Sequence, residues 1–194
     1  MRISLANNLG RALILAGALT LSCWGYQFIE ELWFQRAAGH LLEQQILHVS
    51  GGDTSRNHVL VQPRPGDIIG RIEIPRLHVS VIVLEGSDSR ILRVAAGHVP
   101  GTALPGTIGN VGIAAHRDTF FRSLREIRPN DMITLTSFQG IFRYRVDVTE
   151  IVDPNDFQVL NTTKDAELTL VTCYPFYYLG SAPKRFIVHA RQQG

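Results

Sequence analysis

Residues 168–190 read LTLVTCYPFYYLGSAPKRFIVHA, and this stretch decides the fold. Residues 168–174 and 186–190 are apolar and β-branched. The segment between them carries Pro175, Gly180, Ser181 and Pro183. That pattern predicts two antiparallel strands joined by a long loop. A hairpin symmetric about Leu179 sets Cys173 opposite Arg185, Val171 opposite Ile187 and Thr169 opposite His189. Leu168, Leu170, Phe186, Val188 and Ala190 then form an apolar face that needs a core to pack on.

Further strands are expected upstream. Residues 68–74 alternate Ile68, Gly70, Ile72, Ile74 and stop at Pro75, and residues 79–84 are a β-branched run. Residues 111–115, 131–136 and 142–151 complete about seven or eight strands. A short helix is expected over 87–96, capped by Ser87, and a helical turn over 120–127. Turn residues separate the strands, and no long helices alternate with them. A closed or nearly closed β-barrel is therefore favoured over a βαβ array.

The chain of 194 residues fits one domain with an appendage. Its charged fraction of 19% argues against disorder. Its two cysteines exclude a multi-disulfide scaffold and a four-thiolate metal site. The net charge of +2 comes from Arg2 and Arg11, the only charges before Glu30. The remaining chain is neutral, which excludes a basic nucleic-acid footprint on the main body.

Between Arg11 and Glu30 runs ALILAGALTLSCWGYQFI, eighteen residues without a charge. As a helix this covers about 27 Å, close to a hydrocarbon core of about 30 Å. Trp24 and Tyr26 suit the lipid–water boundary, and the flanking arginines place the N-terminus in the cytoplasm and the domain outside. Residues 1–29 are thus expected to be a cytoplasmic tail and signal-anchor transmembrane helix in a single-pass cell-membrane protein. A buried core helix would carry a polar face. Cleavage would want small residues where Cys23, Trp24 and Tyr26 stand, and lipidation at Cys23 would want Leu where Thr20 stands. Residues 30–66 are expected to be a juxtamembrane helix and linker, with Leu32, Trp33, Ala37, Leu41, Ile46 and Leu47 as the apolar face. Gly51, Gly52, Pro63, Pro65 and Gly66 mark the linker, and a folded domain is expected over 67–194.

Cys173 is the first candidate for chemistry. A strand cysteine is commonly a small buried hydrophobe. Cys23 lies in the expected membrane span, however, so Cys173 has no ready disulfide partner, and an unpaired thiol outside the cell points to use. Arg185 opposite it can stabilise a thiolate or a developing oxyanion, or alternatively close the strand by pairing with a surface acid. A base is needed from seven histidines. His40, His48 and His58 fall in stalk or linker, and His78 follows a turn. His116 ends the small-residue run 109–115 at a strand mouth, and His98 lies in the turn-rich GHVPG segment that could fold over the same cleft. No helix N-terminus lies at Cys173 to support a thiolate, so His and Arg would have to supply that stabilisation.

Taken together, GNVGIAAHRDTFF (109–121), TLVTC (169–173) and Arg185 in PKRFIVHA (183–190) resemble the sortase family of cysteine transpeptidases. GDIIGRIEIP (66–75) and GHVPGTALPG (97–106) are also similar, above all to class D and related housekeeping types. The resemblance implies an eight-stranded sortase-type β-barrel with short helices. It implies that Cys173 attacks the Thr carbonyl of an LPXTG-like C-terminal sorting signal to form a thioester, with His116 as general acid/base and Arg185 holding substrate or oxyanion. An amine from cell-wall material or a pilin lysine then takes the protein. Thr172, Tyr177, Asp118 and His98 are further candidates for substrate contact, and residues 175–183 for a wall of the groove. No cofactor is implied, and no paired acids resemble the calcium site of some class A members. No wall-sorting signal ends the chain, which therefore reads as the enzyme and not its substrate. A hydrolytic cysteine peptidase, a non-catalytic membrane-tethered β-domain and a metal site of His98, His116 and Cys173 remain as alternatives.

Overall fold

The computed structural model describes residues 2–51 and 62–193. Of the expected linker, residues 52–61 lie outside the described residues. In chain order the elements are α1 (Arg2–Gly51), β1 (Ile68–Ile74), β2 (Val79–Glu85), α2 (Ser89–Val94), β3 (Ala96–His98), β4 (Gly109–Ala114), β5 (Met132–Ser137), β6 (Gly140–Val152), β7 (Ala166–Tyr174) and β8 (Lys184–Gln193). Short 3-10 turns cover Pro75–Leu77, Arg122–Glu126 and Gln158–Leu160.

The eight strands close into a barrel in the order β1-β2-β3-β4-β7-β8-β6-β5, with β5 returning to β1. β2 with β3 and β4 with β7 are parallel, and the other pairs are antiparallel. Alternation along each strand builds the interior from Ile72, Ile74, Val81, Val83, Val111, Ile113, Leu168, Leu170, Val188 and Ala190. Phe121 and Leu124 plug the barrel from the turn after β4.

The expected hairpin forms in the expected register, with Cys173 paired to Arg185, Val171 to Ile187 and Thr169 to His189. Elsewhere the structure departs from expectation. The cap of α2 is Asp88 and not Ser87: its carboxylate accepts from the backbone N–H of Arg90 (2.8 Å) and Ile91 (3.3 Å). The helix ends at Val94 with Ala95 as its C-cap, and Ala96, the last residue expected in it, opens β3 instead. Ala96–His98 has no β-branched signature and becomes a strand only because β2 and β4 lie on either side of it.

α1 is one continuous helix, and the face it sets on the barrel differs from the expected one. Ala38 and Leu42 are buried, with Phe34 beside them, against Ile82, Leu84, Ile91 and Ala95. Gln35 donates to Val94 O (2.7 Å) and accepts from Ile82 N (2.9 Å), which satisfies a strand N–H. Glu30 pairs with Arg93 and Glu43 with Arg71. The expected residues Leu32, Trp33, Ala37 and Leu41 face outward, Trp33 with 73% of its surface exposed. The side chains of Ile46 and Leu47 lie outside the described residues. Apolar residues ring this helix, so composition does not choose the face. The row that docks is Phe34, Ala38 and Leu42, four residues apart on one side of the helix. Among the described residues no helix is long and apolar enough to cross a membrane. The side chains of Ala12, Trp24, Gln27 and Phe28, within the run expected to do so, lie outside the described residues.

Candidate active site

β4, β7 and β8 are neighbours, and their alternating residues face either the core or the outside. On β7 the inward set is Leu168, Leu170 and Thr172, so Cys173 faces outward. On β4, Val111, Ile113 and Ala115 point inward, which turns Gly112, Ala114 and then His116 outward. The parallel register pairs Ala114 with Val171, and two residues further on the same face His116 falls beside Cys173. Arg185 lies beside Cys173 on the other side. The row is therefore His116, Cys173, Arg185, with the sulfur in the middle and strands about 4.8 Å apart.

The backbone under this row is pinned. Ala115 N donates to Val171 O (3.2 Å), Thr172 Oγ1 donates to Ala115 O (2.8 Å), and Phe121 N donates to His116 O (3.1 Å). Thr172 thus faces the barrel interior, where it fixes the residue before His116. The Arg185 guanidinium donates to the carbonyls of Lys184 (3.1 Å) and Ala182 (3.4 Å). Among the described residues it has no carboxylate partner, so it is not the strand-closing ion pair that its position also allowed. Lys184 takes that part by pairing with Asp153.

A pocket of about 380 Å³ opens over the row and is lined by His116, Arg117, Asp118, Cys173, Gly180, Ser181, Ala182 and Arg185. Cys173 is half-buried, an access that suits a reacting sulfur. Asp118 is exposed at the rim and, among the described residues, bonds neither His116 nor Arg117. Away from the pocket on β4, Leu160 packs on Gly112. A Cβ at Gly112 would stand 2.9 Å from Leu160 Cδ2 and 3.0 Å from Thr102 Cγ2, so a larger residue there would push the loop off the strand.

Like Thr172, two more of the expected contacts do not line this pocket. Tyr177 is 77% exposed, with its ring 5.6 Å from the Arg125 guanidinium, on the outside of the loop. Its neighbour Phe176 turns the other way and packs against Tyr174 and Phe186, with ring centroids 6.1 and 5.3 Å away. His98 is only 2% exposed. Its Nδ1 is 2.7 Å from Glu85 Oε2, and its Nε2 lies 2.9 Å from Ala103 O and 3.1 Å from Thr102 Oγ1. It anchors the segment that packs beside Gly112 and does not fold over the cleft. A metal site of His98, His116 and Cys173 is therefore not formed, and among the described residues no group of three or more His, Cys, Asp or Glu could hold a metal ion.

Arg117 is the pocket residue that the sequence did not mark. Its Nη2 donates to Tyr178 O (2.6 Å) and Gly180 O (3.0 Å), and its guanidinium lies 6.0 Å from the Tyr178 ring centroid.

A closed barrel that carries an accessible cysteine between a histidine and an arginine defines a class of enzymes working through a sulfur nucleophile. The family model of the Sortase domain matches residues 72–193. The chain is 34% identical over 141 residues to Sortase D of Bacillus subtilis (strain 168), covering 72% of this chain and 71% of that protein. Among solved structures it is similar to a Clostridium perfringens Sortase D5 transpeptidase, with a TM-score of 0.68 and 30% identity over 79% of this chain and 96% of that one. It is also similar to Listeria monocytogenes sortase A, with a TM-score of 0.61 and 26% identity over 66% of this chain and 88% of that one. The chain belongs to the sortase family, and it is a cysteine transpeptidase of that family.

Proposed function

We propose that the protein cleaves an LPXTG-like sorting signal near the C-terminus of a protein substrate and transfers that protein to an amine of cell-wall material or a pilin lysine. The observation that carries this reading is the row His116–Cys173–Arg185 at the mouth of one pocket. The sulfur of Cys173 attacks the Thr carbonyl carbon, and the carbonyl oxygen, now carrying charge, is met by Arg185. His116 gives a proton to the leaving amine as the C–N bond breaks, and a thioester remains on Cys173. The acceptor amine then attacks the thioester, His116 takes its proton, and the thiolate leaves. No external oxidant, reductant or cofactor enters this balance.

The enzyme is anchored by residues 12–29, with the N-terminus in the cytoplasm and the barrel outside. The supporting features are the uncharged run, the two flanking arginines and the exposed Leu13, Ile14, Leu15, Leu19 and Leu21, which carry no contact with the barrel. The domains are then a tail and anchor at 1–29, a juxtamembrane helix and linker at 30–66, and the catalytic domain at 67–194.

Full-length protein in detergent, incubated with an LPXTG-type peptide, tests the chemistry. Intact mass should show an acyl adduct on Cys173, and an added amine should convert the product from free acid to amide. Free acid alone in both tubes would instead identify a hydrolytic peptidase, and absence of the adduct would remove the reading. Carbonate-resistant membrane retention that is lost on deleting residues 2–29 tests the anchor.

A further inference from the structure

Arg117 has one edge in use and one edge without a partner. Nη2 donates to two carbonyls of the β7–β8 loop, those of Tyr178 and Gly180, and the loop residues that follow, Gly180 to Ala182, wall the pocket over Cys173. Nη1 is buried and, among the described residues, has no hydrogen-bond partner. A charged donor withdrawn from water without an acceptor is costly, so such a group calls for an explanation in function. The backbone of Arg117 is set by its neighbour His116, whose carbonyl is held by Phe121 N. The same short segment thus carries the pocket's imidazole and the fork that holds the opposite wall.

We propose that Arg117 is a positioning residue that latches the β7–β8 loop over Cys173, its Nη2 gripping the carbonyls of Tyr178 and Gly180. This rests on the transpeptidase reading above. A planar fork holds two loop carbonyls with one nitrogen at a fixed angle, which a point charge on a flexible stem cannot do. The burial of Nη1 follows from the same grip, since the nitrogen that holds the loop draws its neighbour in beneath it. The wall of the substrate pocket and access to the sulfur therefore depend on one side chain.

Two variants of the full-length protein, Arg117→Met and Arg117→Lys, test this with an LPXTG-type peptide and a bulky maleimide. In Arg117→Met, KM should rise about ten- to hundredfold while kcat stays within about threefold. Maleimide should alkylate Cys173 several-fold faster, because the wall is released. Arg117→Lys should recover only part of the KM, and it carries the test alone if the Met variant does not fold. Unchanged KM and alkylation, a loss confined to kcat, or full rescue by Lys would each overturn the proposal. If the unmutated protein forms no acyl adduct, the transpeptidase reading fails on its own, and the alkylation rates still show whether Arg117 holds the loop.

Discussion

His98 and His116 sit in similar sequence surroundings, one in AAGHVPG and the other in IAAHRDT, each after a small-residue run at the end of a strand. The barrel gives them opposite fates. His98 is buried, and both its ring nitrogens are engaged, by Glu85 on one side and by Ala103 and Thr102 on the other. His116 is half-exposed, lines the pocket with Cys173, and among the described residues its ring is bonded to nothing. A histidine that must move protons needs an uncommitted nitrogen near its target, whereas one that anchors a loop needs both committed. The pair therefore separates chemistry from architecture within one fold, and each half can be broken alone.

The largest effect is expected at the chemical half. Cys173→Ala and His116→Ala should each lower the transpeptidation rate by at least about 10³-fold, equivalent to about 4 kcal/mol of barrier. Neither side chain holds the barrel together, so the melting temperature should stay within about 2 °C of the unmutated protein. A His116→Ala protein that keeps its rate would dissolve the contrast. The architectural half should respond in the opposite sense. His98→Ala leaves the buried Glu85 carboxylate without its partner, which costs about 3–5 kcal/mol of stability. Calorimetry should show a melting temperature lower by about 10 °C. Below that temperature kcat should remain within about threefold of the unmutated value.

Arg185→Lys sharpens the chemical half further. The guanidinium already spends donors on the Lys184 and Ala182 carbonyls, so its aim at the space above Cys173 depends on the fork. Lysine keeps the charge and loses the geometry, and kcat should fall about ten- to hundredfold with little change in melting temperature. Full activity in this variant would take Arg185 out of the oxyanion role.

The sequence was most informative where its period was cleanest. Strand alternation and the symmetric 168–190 segment fix the register that sets Cys173 against Arg185, since a slip of one residue would turn the apolar set to solvent. The two histidines were not separable in this way. What distinguishes them is Glu85, thirteen residues before His98, and that partner becomes a neighbour only through the parallel β2–β3 pairing. Arg117 was hidden for a related reason: a charged residue in a turn looks like any solvated side chain until the far loop closes on it. The face of α1 is not legible in the sequence because apolar residues lie all round that helix, and the docking row of Phe34, Ala38 and Leu42 carries no stronger apolar signal than the outward Leu32, Trp33 and Leu41. β3 has three residues and owes its existence wholly to its neighbours.

The smallest effect concerns a second buried acid, and it asks whether buried ionic anchoring is architectural in general. Asp131 accepts from the Arg76 guanidinium and from Arg128 N (2.8 Å), and it does not line the pocket. The Arg76 hydrogen bonds, aided by the Arg128 backbone N–H, hold its carboxyl below the usual carboxylate range against the opposing pull of burial. A carboxyl that is more acidic in the folded than in the unfolded chain stabilises fully above the unfolded value. That contribution is lost as the pH falls below about 4 towards the folded value. Asp131→Asn should therefore lower the melting temperature by a few degrees at pH 7, and the gap to the unmutated protein should close as the solution is acidified below pH 4. The rate per folded molecule should not change at any pH where both proteins are folded. If the gap stays constant down to pH 2, the charge of Asp131 contributes nothing. If the rate changes with it, the division between anchoring acids and working groups fails at this position.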